Sequence, residues 1–247
     1  MISNVYLAEF FGSAMLVFLG DGVVANTLLS KSAFRNSGPI FITLGWGLAL
    51  MLPVTIFGGI SAVFNPSFSI ALALTGGLTW GVAIGQVIAQ MLGGMVGAFF
   101  VWVAYLDQFD GSDDPGTIRA VFCTAPAVRH YIVNLIEEIL ITFTLIFFIL
   151  GFSQVPDSHA MVNGVVGAPN GVFSFFIFAI LTGIGMSFGG ITAYGLNPCR
   201  DLAPRIMHAI LPIKGKGKSD WAYSWVPVLG SLIGATLACV VYNVFPW

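Results

Sequence analysis

Two short boxes, Asn65-Pro66-Ser67 and Asn197-Pro198-Cys199-Arg200-Asp201, hold residue types in this chain that could do polar chemistry in an otherwise apolar setting. Asn is a favoured N-cap and a Pro directly after it suits the first helical position, so each box reads as a helix start. Both boxes lie within apolar sequence, where a broken backbone and an Arg are costly unless they are buried in protein or line a water-filled path. A helix that begins there presents unpaired amide hydrogens and the positive end of its dipole. The chemistry expected is noncovalent: carboxamide, guanidinium and backbone groups arranged along a polar route through an apolar medium. Cys123, Cys199 and Cys239 show neither paired nor metal-ligand spacing, and no nucleophile sits in a base-assisted pattern. No disulfide framework, metal site or cofactor is therefore expected, and the chain does not read as an enzyme.

The elements that must position these boxes are membrane helices. Of the 247 residues 57% are hydrophobic and only 8% charged, and the mean hydropathy is +0.93, whereas a soluble globule carries about 25% charged residues. The apolar runs are long and continuous, which selects helices over the alternating pattern of a membrane barrel. The net charge of -2 says little about partners; lipid is the surrounding expected, and no nucleic-acid partner is expected. Spans are predicted at 5–29, 40–57, 80–106, 130–152, 172–188 and 221–244, with half-helices from Asn65 to Thr75 and from Asn197 to Ala209. The first run is too long for a cleaved signal peptide, lacks a basic flank and contains Glu9 and Asp21. Lys214, Lys216 and Lys218 read as a solvated loop, and His130, His159 and His208 as loop or helix-end residues.

The order of elements occurs twice. Glu9 precedes Asn65 by 56 residues and Glu138 precedes Asn197 by 59, each interval holding two spans and a re-entrant entry. Three spans per half is an odd number, so the second copy must be inverted in the bilayer. The fold class expected is an all-α membrane protein of six transmembrane helices plus two re-entrant half-helices. It forms one domain: repeat one over 1–106, a polar connection over 107–129 and repeat two over 130–247. The two half-helices should meet Asn to Asn at the midplane, with Glu9 and Glu138 accepting from the exposed amides of the entries.

The two boxes, Ala8-Glu9-Phe10-Phe11-Gly12 in span one, and the run from Gln86 to Gly94 in span three together resemble the aquaporin family over nearly the whole chain. Asp201 after the Arg, Gly185 in span five and Pro227-Val228 in span six are similar to its glycerol-conducting branch, the aquaglyceroporins. The resemblance implies a passive channel for glycerol and other small uncharged solutes, with some water, in the plasma membrane, assembled as a homotetramer with one pore per subunit. It also implies a selectivity filter of Trp46, Gly185, Tyr194 and Arg200. Gly185 leaves room, Trp46 and Tyr194 form an aromatic corner, and Arg200 supplies a fork of donors. A ladder of backbone acceptors is expected at Ser61, Ala62 and Val63 and at Ile191, Thr192 and Ala193. Glu9, Glu138 and Asp201 are expected to be structural acids.

The chain departs from the family pattern in several places. Ser67 and Cys199 end the boxes where Ala is usual, and Tyr194 stands where Phe is frequent. Val63 stands near the place of a His before the first box, which leaves an apolar inner vestibule. That vestibule motivates an alternative cargo, undissociated lactic acid or another neutral metabolite such as dihydroxyacetone or urea. A secondary active transporter also uses broken helices and inverted repeats, but the intramembrane acids form no evident proton relay. The family places both termini in the cytoplasm. Counting basic residues instead puts them outside, because Lys31, Arg35, Arg119, Arg129, Lys214, Lys216 and Lys218 all lie in the loops of the opposite side.

Overall fold

The computed structural model describes residues 2–154, 159–162, 165–169 and 171–246. In chain order they form α1 (Ile2–Leu28), α2 (Pro39–Phe57), α3 (Pro66–Leu74), α4 (Trp80–Ala104), α5 (Leu106–Asp110), α6 (Pro115–Phe122) and α7 (Tyr131–Phe152). A hairpin of β1 (His159–Val162) and β2 (Val165–Pro169) follows, then α8 (Gly171–Thr192), α9 (Pro198–Ile210) and α10 (Trp225–Tyr242). Helices α1, α2, α4, α7, α8 and α10 are each long and apolar enough to cross a membrane. The protein is an integral, multi-pass membrane protein of the all-α class expected, with α3 and α9 as its two half-helices.

The inverted repeat is visible in the packing. Helix α1 lies against α4 and α2, α7 lies against α10 and α8, and α2 meets α8 to join the halves. Without a hydrophobic force between helices in lipid, close backbone approach does this work. A Cβ on Gly97 of α4 would come within 3.0 Å of the Phe18 amide nitrogen of α1, and one on Gly234 of α10 would come within 3.0 Å of the Phe143 amide nitrogen of α7. The two glycines hold equivalent crossings in the two halves.

Helix α8 continues four residues beyond its predicted end at 188 and absorbs the glycine-rich descent. An interior glycine costs a helix only about 1 kcal/mol, and Gly189 has a packing reason to be there. A Cβ at that position would lie 2.8 Å from the Tyr194 ring. The irregular backbone is confined to 193–197, where Ala193, Tyr194 and Leu196 adopt φ of 64°, 40° and 59°. The connection between α7 and α8, expected as a simple loop, contains the antiparallel hairpin instead, and the polar connection over 107–129 contains α5 and α6.

Helix α9 is anchored at its outer side by a buried charge cluster. Arg205 donates from Nε and Nη2 to the Asp201 carboxylate at 3.1 and 2.8 Å, and to the carbonyls of Thr124 and Ser219 at 2.8 and 2.7 Å. Asp201 also accepts from the amide and hydroxyl of Thr124. Both side chains are fully buried. A buried pair is tolerable when its remaining hydrogen-bonding capacity is met in this way.

A second pair clamps the loops that precede α7 and α10. Arg129 forks onto Asp220, with Nη1 2.9 Å from Oδ1 and Nη2 bonded to Oδ2. These hydrogen bonds hold the Asp220 carboxyl below the usual carboxylate range. A folded-state pKa below the unfolded one means that the pair's contribution is complete above about pH 4 and is lost as pH falls through the folded value. The pair is partly exposed, so that contribution is at most about 1 kcal/mol. Asp220→Asn should therefore melt slightly below the wild type at pH 7, and the difference should shrink as the pH is lowered below about 4. A difference that stays constant or grows on acidification would contradict this account.

Candidate functional site

Two buried carboxylates build the site. Glu9 of α1 and Glu138 of α7 are both fully buried, and each faces the irregular stretch that leads into a half-helix. Glu9 Oε1 accepts from Ser61 Oγ at 2.5 Å and from the Val63 amide at 2.9 Å, while Oε2 accepts from the Phe64 amide and from Gln90 Nε2, both at 2.8 Å. Glu138 Oε1 accepts from the Gly195 amide at 2.8 Å and from Thr192 Oγ1 at 2.7 Å, and Oε2 from the Leu196 amide at 2.9 Å. The pairing is the same in both halves: each carboxylate takes the two amides that immediately precede the box asparagine. Amides bonded sideways to a carboxylate leave their carbonyls free. Among the described residues no hydrogen bond engages the carbonyls of Ala62, Val63, Tyr194 or Gly195.

Sequence reasoning did not give Glu137 a role. Its Oε2 lies 2.6 Å from Thr192 Oγ1, the hydroxyl that also serves Glu138. The Thr192 hydroxyl, at the end of α8, thus lies within hydrogen-bond distance of both carboxylates. The signal was the Glu137-Glu138 doublet, in which only one member is needed to match Glu9.

The half-helices begin as the boxes predict. Asn65 (φ -145°) and Asn197 (φ -159°) are extended N-caps whose Oδ1 atoms accept from Ser67 N at 3.0 Å and Cys199 N at 2.9 Å, with Pro66 and Pro198 at the first turn. Their other ends cross between repeats. Asn65 Nδ2 donates to the Leu196 carbonyl at 3.0 Å, and Asn197 Nδ2 donates to the Phe64 carbonyl at 2.8 Å. Phe64 and Leu196 occupy equivalent positions, and both have left-handed φ, 48° and 59°. The strain is offset by aiming those carbonyls at the opposite asparagine. Each carboxamide keeps a second N–H hydrogen. Ser67 and Cys199 are buried behind the tips: Ser67 Oγ lies 2.7 Å from Ser231 Oγ, and Cys199 Sγ donates to the Gln90 carbonyl at 3.2 Å. A Cβ on Gly94 would come within 2.8 Å of that sulfur, so only a small residue fits there.

Toward the end of α9 nearer its N-terminus, the Arg200 guanidinium lies over Trp46, 4.0 Å from the ring centroid, and 6.0 Å from that of Tyr194. No hydrogen bond among the described residues engages the terminal nitrogens of Arg200. Gly185 completes this corner from α8: a Cβ there would meet Thr43 Cγ2 at 2.8 Å and Tyr194 Cζ at 3.2 Å. Thr43, which carries no sequence signal beyond its place three residues before Trp46, is thus part of the corner's wall.

One cavity of about 350 Å³ joins these parts. Trp46, Tyr194 and Arg200 line it together with Asn65 and Asn197, and it continues past Ser61, Ala62 and Val63. Its opposite wall is apolar, formed by Leu50 and Val54 of α2, Leu145 and Ile149 of α7, and Ile177 and Leu181 of α8. Spans apolar on every face hide which face lines a cavity, so these residues gave no sequence signal. In the second half of the expected acceptor ladder, Ile191 and Thr192 end α8 and the Ile191 carbonyl accepts from Ala127 N at 2.9 Å, whereas no hydrogen bond among the described residues engages the carbonyls of Ala193, Tyr194 or Gly195. The glycines at 189 and 190 suggested an earlier helix end than the one that forms. Glu9, Glu138 and Asp201 stand behind the cavity wall, not on it.

Residues 2–242 match the family model described as Major intrinsic protein. The chain is 46% identical over 241 residues to a Thermotoga maritima protein named "Probable glycerol uptake facilitator protein", covering 97% of this chain and 98% of the relative. It is 37% identical over 236 residues to the D/L-lactic acid transporter of Lactiplantibacillus plantarum, covering 94% and 93% of the two chains. The solved structure of the aquaglyceroporin from Plasmodium falciparum superimposes with a TM-score of 0.82 at 27% identity, over 98% of this chain and 96% of that one.

Glu9→Gln tests the carboxylate anchor. The substitute keeps the shape but turns an NH2 toward amide or hydroxyl donors, leaving at least one buried amide unpaired at a cost of about 1–3 kcal/mol. The thermal midpoint in detergent should fall, and Glu138→Gln should do the same. Unchanged midpoints in both variants would refute the role of the carboxylates.

Proposed function

The chain belongs to the Major intrinsic protein family and is a passive membrane channel, not an enzyme, for glycerol and other small uncharged solutes; from that premise we propose how its own residues select them. The observation that carries the proposal is one cavity lined by residues with unengaged donors, by residues with unengaged carbonyls and by apolar residues of α2, α7 and α8. Glycerol and water pass in file. The carbon skeleton slides along Trp46, Tyr194 and the aliphatic wall, while hydroxyl oxygens accept from the Arg200 fork and from the second hydrogens of Asn65 and Asn197. Hydroxyl hydrogens donate to the carbonyls of Ala62, Val63, Tyr194 and Gly195 in turn. A solute that always finds a new partner before losing the last meets no large barrier.

Ions fail for two reasons. They must shed hydration that a few carbonyls cannot replace, and cations also face the positive ends of α3 and α9 and the Arg200 charge. A water that accepts from both asparagines cannot also pass a proton along the file.

We place the protein in the cell membrane as a homotetramer with both termini cytoplasmic, a reading supported by the family resemblance and by broad apolar outer faces that include Phe11, Ile84, Leu92, Ile132 and Leu140. The basic loops argue for the opposite orientation, and labelling of a terminal tag in intact cells decides between them.

Gly185→Val tests the filter. The added carbons press on Thr43 and Tyr194 and narrow the aromatic corner. In stopped-flow light scattering of proteoliposomes, glycerol permeability per channel should fall by about tenfold or more, with a smaller fall for water. Equal losses for both would remove Gly185 from the filter.

A second cargo is favoured by one feature, the apolar vestibule at Val63, Leu72 and Leu78 on the inner side of the asparagines. It suits undissociated lactic acid, whose methyl group gains from an apolar wall. Lactic acid flux through the channel should then rise as external pH falls toward the acid's pKa. Flux independent of pH between 7 and 4 would eliminate this cargo.

A further inference from the structure

Asp21 is an acid toward the C-terminal end of α1 that neither half-helix uses. Its side chain is fully buried, it does not line the cavity, and neither carboxylate oxygen has a hydrogen-bond donor among the described residues. An isolated buried carboxylate is among the most costly groups a membrane helix can carry. One cation among the described residues comes within ion-pair range: Arg200, whose Nη1 lies 4.0 Å from Asp21 Oδ1. The other buried arginine of α9, Arg205, is already committed to Asp201 and to the carbonyls of Thr124 and Ser219.

The local sequence creates the approach. Gly20, immediately before Asp21, has no side chain because the six-membered ring of Trp46 occupies the place of its Cβ. Trp46 thus packs on the α1 backbone at Gly20 while it carries the Arg200 guanidinium at 4.0 Å. Gly20 and Asp21 therefore act as a unit: the glycine seats the ring and the acid faces the cation stacked on it.

We propose that Asp21 is the buried counter-ion of the filter, a positioning residue that balances the Arg200 charge without consuming its donors. The 4.0 Å separation exceeds hydrogen-bond range. The coupling is therefore coulombic, and in a weakly screened interior it is strong at that distance. A carboxylate bonded directly to the fork would occupy N–H groups that a solute hydroxyl needs. One set slightly back holds the guanidinium against Trp46 and lowers the net charge of the corner, so that neutral polyols meet donors with a reduced monopole behind them. The proposal rests on the reading of Arg200 as a filter donor.

A double-mutant cycle with Asp21→Asn and Arg200→Val separates the two claims. Arg200→Val alone should change the glycerol-to-water permeability ratio; if it does not, the filter reading fails, whatever the cycle shows. For the counter-ion, Arg200→Val strands a buried carboxylate and should lower the thermal midpoint by roughly 5–10 °C, and adding Asp21→Asn should restore most of that loss. Asp21→Asn alone should shift the permeability ratio at least about threefold, while Asp21→Glu, which keeps the charge, should stay nearer the wild type. Strictly additive midpoint shifts, or a wild-type ratio in Asp21→Asn, would overturn the proposal. If Asp21→Asn yields no folded channel by itself, recovery of folded protein in the double variant supports the pairing, and loss in both refutes it.

Discussion

The channel depends on keeping a short stretch of backbone unfolded in the middle of a membrane. A spanning helix satisfies its own amides and carbonyls, so it offers a solute nothing; a broken one leaves both unsatisfied where there is no water to help. Glu9 and Glu138 resolve this by taking only the amides. With Val63 and Phe64 on one carboxylate and Gly195 and Leu196 on the other, the backbone is locked in an extended, partly left-handed form whose carbonyls have one direction left to face. The unengaged carbonyls beside the cavity thus follow from two glutamates that do not line it. Gln90 and Ser69 extend the Glu9 anchor into α4 and α3, and Thr192 extends the Glu138 anchor to the end of α8, so each entry is braced from more than one side.

The second constraint is size. Half-helices meeting at their tips must bring backbone close to backbone, and the small residues follow from that. Ser67 and Cys199 sit where Ala is usual in the family, yet neither hydroxyl nor thiol is wasted: each bonds a neighbouring helix, Ser67 to Ser231 of α10 and Cys199 to the Gln90 carbonyl of α4. The same economy of space governs the aromatic corner of Trp46 and Tyr194. Gly20, Gly185 and Gly189 each border a ring or a wall residue of that corner, so the positions of Trp46 and Tyr194 are set as much by missing side chains as by present ones.

Most of the architecture was legible because the repeat is written in rare residues. A glutamate, then an Asn-Pro box at nearly the same distance, in an apolar chain with few polar groups, locates the anchors, the tips and the inversion together. What was not legible has a physical cause. Helices surrounded by lipid and protein are apolar on all faces, so Leu50, Val54, Leu145 and Ile177 could not be assigned to the cavity from period alone. The end of α8 was misplaced because Gly189 and Gly190 read as breakers, whereas Gly189 serves the Tyr194 ring. Asp21 was visible as an acid in the first apolar run, but its neighbour lies 179 positions along the chain, and only the packing of Trp46 onto Gly20 brings the two together.

The crossed bonds between the two half-helix tips carry a consequence for how the protein is made. Asn65 is held by the carbonyl of Leu196, and Asn197 by the carbonyl of Phe64. A ribosome delivers the first of these residues long before the second. Until the later half is in place, the earlier tip lacks the acceptor that holds its carboxamide in the folded channel, so the two tips can reach their final bonding only together and not one after the other.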